Sequence, residues 1–204
     1  MRLVIIRTMK LDNHGQKSNL RKEILRKRNS LSQFQIVSIS KLIQKNLIES
    51  PEFIESKSIG IYLPIGSEVR TDDIISIALE SKKTLLLPRV ITNDLRFYKV
   101  EKKDFDEDSF DVNKFGVREP KETNRKLDFI DLLIVPGIAF DYYGYRIGYG
   151  HGYYDKYMTN GKFSKSIGLA YDLQVIKSPI PKFEYDKKID ILFTESGFHI
   201  IDTF

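Results

Sequence analysis

The chain reads as an α/β protein, a three-layer sandwich on a central, mainly parallel sheet. Three observations carry that reading. Residues 58–63, 84–88 and 131–136 are short, nearly unbroken apolar runs closed by proline or a turn, the pattern of strands buried on both faces. Between the first two runs, Thr71-Asp72-Asp73 heads an apolar series through Leu79, with a capping hydroxyl and first-turn acids that favour a helix N-terminus. Strand, helix and strand at this spacing form a parallel crossover unit.

The remaining elements follow in order. Within residues 17–28, Leu20, Ile24 and Leu25 recur as one apolar stripe of a helix whose solvated face carries Lys22, Arg26 and Lys27. Ser32-x-x-Gln35 is a capping box ahead of Ile36, Ile39, Ile43 and Leu47, and Pro51 lies past the end of that helix. Residues 95–100 alternate as a half-exposed strand, and residues 166–171 and 189–194 add two more. Ligands of such sheets bind outside the carboxyl ends of the strands. Residues 1–14 are expected to be a flexible N-terminal extension, with Met9 an alternative start, and residues 15–204 a single domain.

The 204 residues are 41% hydrophobic and 30% charged, which excludes a disordered chain. The absence of cysteine removes disulfides, thiolate metal sites and cysteine nucleophiles together. Its N-terminal apolar run is four residues long, too short for a signal-peptide core or a membrane span, so a cytoplasmic location is expected. A net charge of +5 favours anionic partners.

The densest chemistry lies in residues 135–155. Gly148, Gly150 and Gly152 alternate, so successive backbone N–H groups can face one anion. Arg146 stands at the entrance with a guanidinium suited to phosphate oxygens, and Asp155 closes the segment with a hard oxygen ligand for Mg²⁺. The alternative is a long surface connection in which Arg146 and Asp155 form a solvated ion pair. Neither the dinucleotide-binding glycine pattern nor a Walker A sequence is present.

Pro136-Gly137-x-x-Phe140-Asp141 followed by Gly144-x-Arg146-Ile147-Gly148-x-Gly150-x-Gly152-Tyr153-Tyr154-Asp155 resembles the signature of the 5-formyltetrahydrofolate cyclo-ligase family. Lys17-x-x-Leu20-Arg21, Glu68-Val69-Arg70-Thr71 and Lys188-Ile189-Asp190 resemble further segments, so the likeness covers about residues 17–195. It implies a fold shared with sugar-phosphate isomerases and CoA transferases, and an enzyme that closes 5-formyltetrahydrofolate to 5,10-methenyltetrahydrofolate using ATP and Mg²⁺. By the same resemblance, Lys17, Arg21, Arg146, Gly148, Tyr149, Gly150, His151, Gly152, Tyr153 and Tyr154 hold ATP. Leu63, Glu68, Tyr153 and Tyr154 bind the folate, Asp155 and Asp190 ligate Mg²⁺, and Arg146, Tyr153 and Asp155 form the catalytic set. The implied partners are ATP and a reduced folate, with or without a polyglutamate tail, and neither nucleic acid nor membrane. His151 stands where the family more often has glycine or a basic residue and is read as a phosphate donor. His14 and His199 have no partner at metal spacing and are read as incidental.

Two other classes compete. An RNA-binding module would use the basic helix on phosphates and tyrosines 142–157 on bases, yet leaves Asp141, Asp155 and Asp190 without a purpose. A sugar-phosphate isomerase or acyl-CoA transferase would need no nucleotide.

Overall fold

The computed structural model describes residues 2–105, 109–113, 116–122, 125–127 and 129–201, with side chains from Asn13 onward. Helix α1 spans Arg2–Asn29, so no helix break coincides with the expected boundary at residue 14. Helices α2 (Gln33–Ile48) and α3 (Pro51–Glu55) follow, then β1 (Ser58–Gly60), α4 (Asp72–Glu80), β2 (Thr84–Ile91) and β3 (Asp94–Val100). Strands β4 (Phe110–Val112) and β5 (Arg118–Pro120) form a hairpin, followed by β6 (Phe129–Val135), β7 (Ala139–Asp141) and β8 (Arg146–Ile147). Helix α5 (Tyr153–Asn160), β9 (Lys162–Leu169), β10 (Val175–Ile176), β11 (Ile191–Thr194) and β12 (Gly197–Ile200) complete the order.

Seven strands make one sheet in the order β12-β11-β9-β6-β1-β2-β3. The five central strands are joined by parallel pairings, and β3 and β12 close the edges antiparallel. The mainly parallel α/β prediction therefore holds. Alternation splits the buried strands between two cores. Leu85, Leu87, Leu132 and Ile134 join Ile43 and Leu47 of α2 and Ile74 and Ala78 of α4, whereas Leu86, Leu133 and Val135 pack with Tyr154, Tyr157 and Met158 of α5. A third cluster fixes α1 through Ile24 against Ile138, Ala139 and Ile147.

The capping box on α2 forms as predicted, with Ser32 accepting from Gln35 N–H and the Gln35 side chain accepting from Ser32 N–H. The cap expected from Thr71 does not: its hydroxyl donates to the Tyr62 carbonyl at 3.0 Å. Gln44 of α2 replaces it, its Oε1 accepting from the N–H groups of Asp73 and Ile74 at 2.9 and 3.3 Å. A buried amide on a neighbouring helix satisfies the orphan donors equally well, so the hydroxyl is free for another partner. Residues 84–88 were read as ending at Pro88, yet β2 continues to Ile91 as part of an antiparallel ladder with β3.

Asp131, at the start of β6, holds the neighbouring strand in register. Its Oδ2 accepts from Lys57 N–H, Ser58 N–H and Ser58 Oγ at 2.8, 2.8 and 3.0 Å.

Candidate active site

At the carboxyl ends of β1, β2 and β6 lies a cleft of about 390 Å³, within the usual range of ligand sites. Its floor is the turn after β6. Its walls are α1, the segment from Tyr62 to Glu68, the β4–β5 hairpin, the glycine loop with the first turn of α5, and residues 183–186. Every expected site residue lines it except Asp190. Lys17, Arg21, Leu63, Glu68, Arg146, the loop from Gly148 to Gly152, Tyr153, Tyr154 and Asp155 are thus brought together from three separate stretches of sequence.

The loop has the shape its glycines allow. Gly150 and Gly152 take φ of +110° and +68°, values that a side chain strains, whereas Gly148 is not among the positive-φ residues. Gly152 is the N-cap of α5 in the left-handed conformation, and its carbonyl accepts from Lys156 N–H at 2.9 Å. The loop therefore opens directly onto a helix N-terminus, where unsatisfied N–H groups favour an anion. No Ser, Thr, Asn or Asp marks that cap, which is why the sequence reading missed the helix.

Arg21 Nε donates to the Gly148 carbonyl at 2.8 Å, fixing α1 to the loop. Arg146 is 6% exposed, and its Nη1 lies 3.2 Å from Asp155 Oδ1 and donates to the Lys187 carbonyl at 3.1 Å. Lys187 N–H donates to the same Asp155 oxygen at 3.0 Å. The Arg146–Asp155 pair thus exists, but inside the cleft rather than in solvent. Burial pulls the guanidinium's pKa down and Asp155 pulls it back, leaving a charged group that has surrendered water and is ready for anionic oxygens. Lys17 pairs with Asp186, and its ammonium lies 4.8 Å from the centre of the Phe183 ring. Phe183 N–H donates to the same Asp186 oxygen at 2.6 Å.

On the opposite side, Glu68 is buried. Its Oε2 accepts from Ile65 N–H at 3.0 Å. Burial raises its pKa, against the Ile65 amide and the nearby Arg28 and Tyr149. Arg28 is itself buried, donating to Ser67 Oγ at 3.0 Å, the Gly137 carbonyl at 3.3 Å and Tyr149 Oη at 2.8 Å. The Tyr154 hydroxyl is buried with no hydrogen-bonding partner among the described residues, and burial, then the charge of Glu68, pushes its pKa well up. His151 stacks on Tyr153 with ring centres 5.3 Å apart.

Two carboxylates read as companions of the site hold neighbouring segments together. Asp141 is fully buried, and Oδ1 accepts from the N–H groups of Tyr143 and Tyr145 at 3.0 and 2.9 Å, while Oδ2 accepts from Ile180 N–H at 2.8 Å. Asp190 does not line the cleft; its Oδ2 accepts from the N–H and the hydroxyl of Ser166, each at 2.7 Å, joining the segment before β11 to β9. His14, read as incidental, lines the cleft with its ring centre 4.4 Å from that of Phe183. Arg28, Asp186 and His14 were missed because their neighbours across the site are remote in sequence; only the helical spacing of Lys17, Arg21, Ile24 and Arg28 hinted at a shared face.

No group of three or more His, Cys, Asp or Glu among the described residues is arranged to hold a metal. Mg²⁺ characteristically keeps its water and binds through one or two carboxylates together with substrate phosphates. Asp155, half-buried beside the loop, fits an ion that arrives with a nucleotide.

A seven-stranded, mostly parallel α/β sheet carries a glycine loop and a cleft at its strand ends, and the comparisons with known proteins make the chain an enzyme of the ligase class. The sequence model of the 5-formyltetrahydrofolate cyclo-ligase family matches residues 13–195, and the chain belongs to that family. A probable 5-formyltetrahydrofolate cyclo-ligase of Caenorhabditis elegans is 33% identical over 171 residues, covering 78% of this chain and 82% of its own. One from Schizosaccharomyces pombe is 33% identical over 169 residues, covering 74% and 81%. The NMR structure of Aquifex aeolicus 5,10-methenyltetrahydrofolate synthetase matches at a TM-score of 0.80 and 35% identity, covering 92% of this chain and 94% of its own. Among the described residues no helix is long and apolar enough to cross a membrane.

Proposed function

We propose that the chain converts 5-formyltetrahydrofolate to 5,10-methenyltetrahydrofolate with ATP and Mg²⁺, releasing ADP and phosphate. The observation that carries the reading is one cleft lined both by Lys17, Arg21, Arg146 and the glycine loop and by Leu63, Pro88, Val90 and Leu95, so that a polyphosphate and a pteridine can meet in it. A formamide is a poor electrophile because its carbonyl is resonance-stabilised. Its oxygen takes the γ-phosphoryl group as ADP leaves; N10 then bonds to the formyl carbon and gives up its proton, and the C–O bond breaks to release phosphate.

Arg146, Lys17, Arg21 and the loop amides from Gly148 to Gly152 carry the polyphosphate charge. Catalysis of such a transfer is chiefly positioning and charge stabilisation. Phosphate oxygens displace the resident carboxylates, drawing Arg146 from Asp155 and Lys17 from Asp186. Asp155 would hold Mg²⁺, which neutralises phosphate charge. Glu68 accepts from pterin N–H donors, Leu63 and Tyr153 flank the ring, and the Tyr154 hydroxyl donates to the substrate. His151 and Tyr149 stand at the nucleotide side of the loop.

The test is absorbance of the conjugated methenyl product, with and without ATP, for the wild type and Asp155→Asn. Product that needs ATP and falls at least about 100-fold in the variant supports the reading, matching loss of charge stabilisation worth about 3 kcal/mol. Folded protein that makes no product refutes it.

A further inference from the structure

The cations of the cleft differ in what they hold. Lys17 faces Asp186, Arg146 faces Asp155, and Arg21 donates to the Gly148 carbonyl. Arg118, on β5, lines the cleft without an ion pair or hydrogen bond among the described residues. Its guanidinium carbon lies 4.6 Å from the centre of the Phe110 ring, a cation–π contact, and the side chain is exposed.

The acids of the same hairpin are already committed. Asp111 pairs with Arg89 on β2, and Glu119 Oε1 accepts from Asn113 Nδ2 at 2.8 Å and Val90 N–H at 3.3 Å. Arg118 is thus a cation held over an aromatic ring, with no ion pair among the described residues, in the same cleft as the glycine loop. Strand β2 pairs with β1 and meets the hairpin through Val90, and Pro88 and Val90 line the same cleft as Glu68 and Arg118. Apolar lining together with a guanidinium that has no ion pair among the described residues fits a flat ligand that terminates in a carboxylate.

We propose that Arg118 binds the glutamyl carboxylate of the folate and so restricts the substrate to pteridines that carry an acidic tail. The proposal rests on the folate reading of the cleft. In it the pteridine lies by Glu68 and Tyr154, the aminobenzoyl ring crosses Pro88 and Val90, and the α-carboxylate accepts two N–H donors from Arg118. Arg118 is a binding residue that takes no part in the phosphoryl transfer, and its loss falls on KM for the folate.

Steady-state kinetics of the wild type, Arg118→Gln and Arg118→Lys on two compounds decide the matter: 5-formyltetrahydrofolate, and 5-formyltetrahydropteroate, which lacks the glutamate. Expected are a rise in KM of about 10-fold for the folate in Arg118→Gln, partial recovery in Arg118→Lys, and one shared KM for the pteroate. An equal loss with both compounds, or none with either, overturns the proposal, because Arg118 would then act on the hairpin or on nothing. Wild-type protein that turns over neither compound refutes the cyclo-ligase reading instead. Dissociation constants for the same compounds then judge Arg118 by the same pattern, and equal values for wild type and variant overturn it.

Discussion

Replacing Tyr154 by phenylalanine separates stability from function at a single atom. The hydroxyl is buried and has no hydrogen-bonding partner among the described residues, and its raised pKa keeps it protonated, so it is a donor waiting for an acceptor. A buried polar group left unsatisfied costs about 1–3 kcal/mol, whereas the ring's packing is retained in phenylalanine, including its edge contact with Phe97 at 6.5 Å between centres. Removing the oxygen should therefore leave the fold as stable or more so. For a domain of this size about 1 kcal/mol corresponds to about 2–4 °C in Tm. Thermal melts of Tyr154→Phe should match the wild type or exceed it by up to about 4 °C. At the same time kcat/KM for the folate should drop about 10-fold, from loss of about 1.4 kcal/mol of ligand hydrogen bonding. A variant that melts several degrees lower, or one with undiminished kcat/KM, refutes the reasoning, since either result means that the hydroxyl already has its partner or never meets the substrate.

Other changes probe the loop, the displaced aspartate and the buried glutamate. Gly150→Ala meets no crowding, its nearest new contact being Arg21 Nη2 at 3.9 Å, but φ of +110° strains it by about 1–3 kcal/mol; KM for ATP should rise with little change for the folate. Asp190→Ala loses the acceptor for the N–H and hydroxyl of Ser166 and should lower stability by about 1–3 kcal/mol in denaturant titrations, whereas Asp155→Asn should chiefly lower activity. Equal Mg²⁺ dependence of Asp190→Ala and wild type is the expected companion result. Glu68 has a pKa raised by burial, so the folded protein holds its proton more tightly than the unfolded chain, and that stabilisation is lost as pH rises through the folded value. Melting curves of Glu68→Gln and wild type should therefore converge in acid and separate at neutral pH in favour of the variant; separation in the opposite direction contradicts burial as the dominant influence.

Much of the molecule was legible in the chain because the signals are local. Alternation and run length expose buried strands, the Ser32–Gln35 box lies within one helical turn, and glycine spacing marks a backbone that faces a ligand. These depend on neighbours within a few residues, which any sequence displays. The resemblance in residues 136–155 carried the site list further than composition alone could, and all but one of those residues reached the cleft.

What the sequence by itself determined is the α/β class, the glycine-rich loop and the residue types available for chemistry. Only the tertiary structure decided which carboxylates remain for ligands. Asp141, Asp155 and Asp190 look alike in a string of letters, yet Asp141 is consumed by three backbone N–H groups and Asp190 by Ser166, while Asp155 opens onto the cleft beside Arg146. The same holds for Arg28 and Arg118, one buried in a hydrogen-bond network and the other held over the Phe110 ring in the cleft. A charged side chain binds whatever acceptor or donor the fold brings within about 3 Å, and that neighbour belongs to another part of the chain.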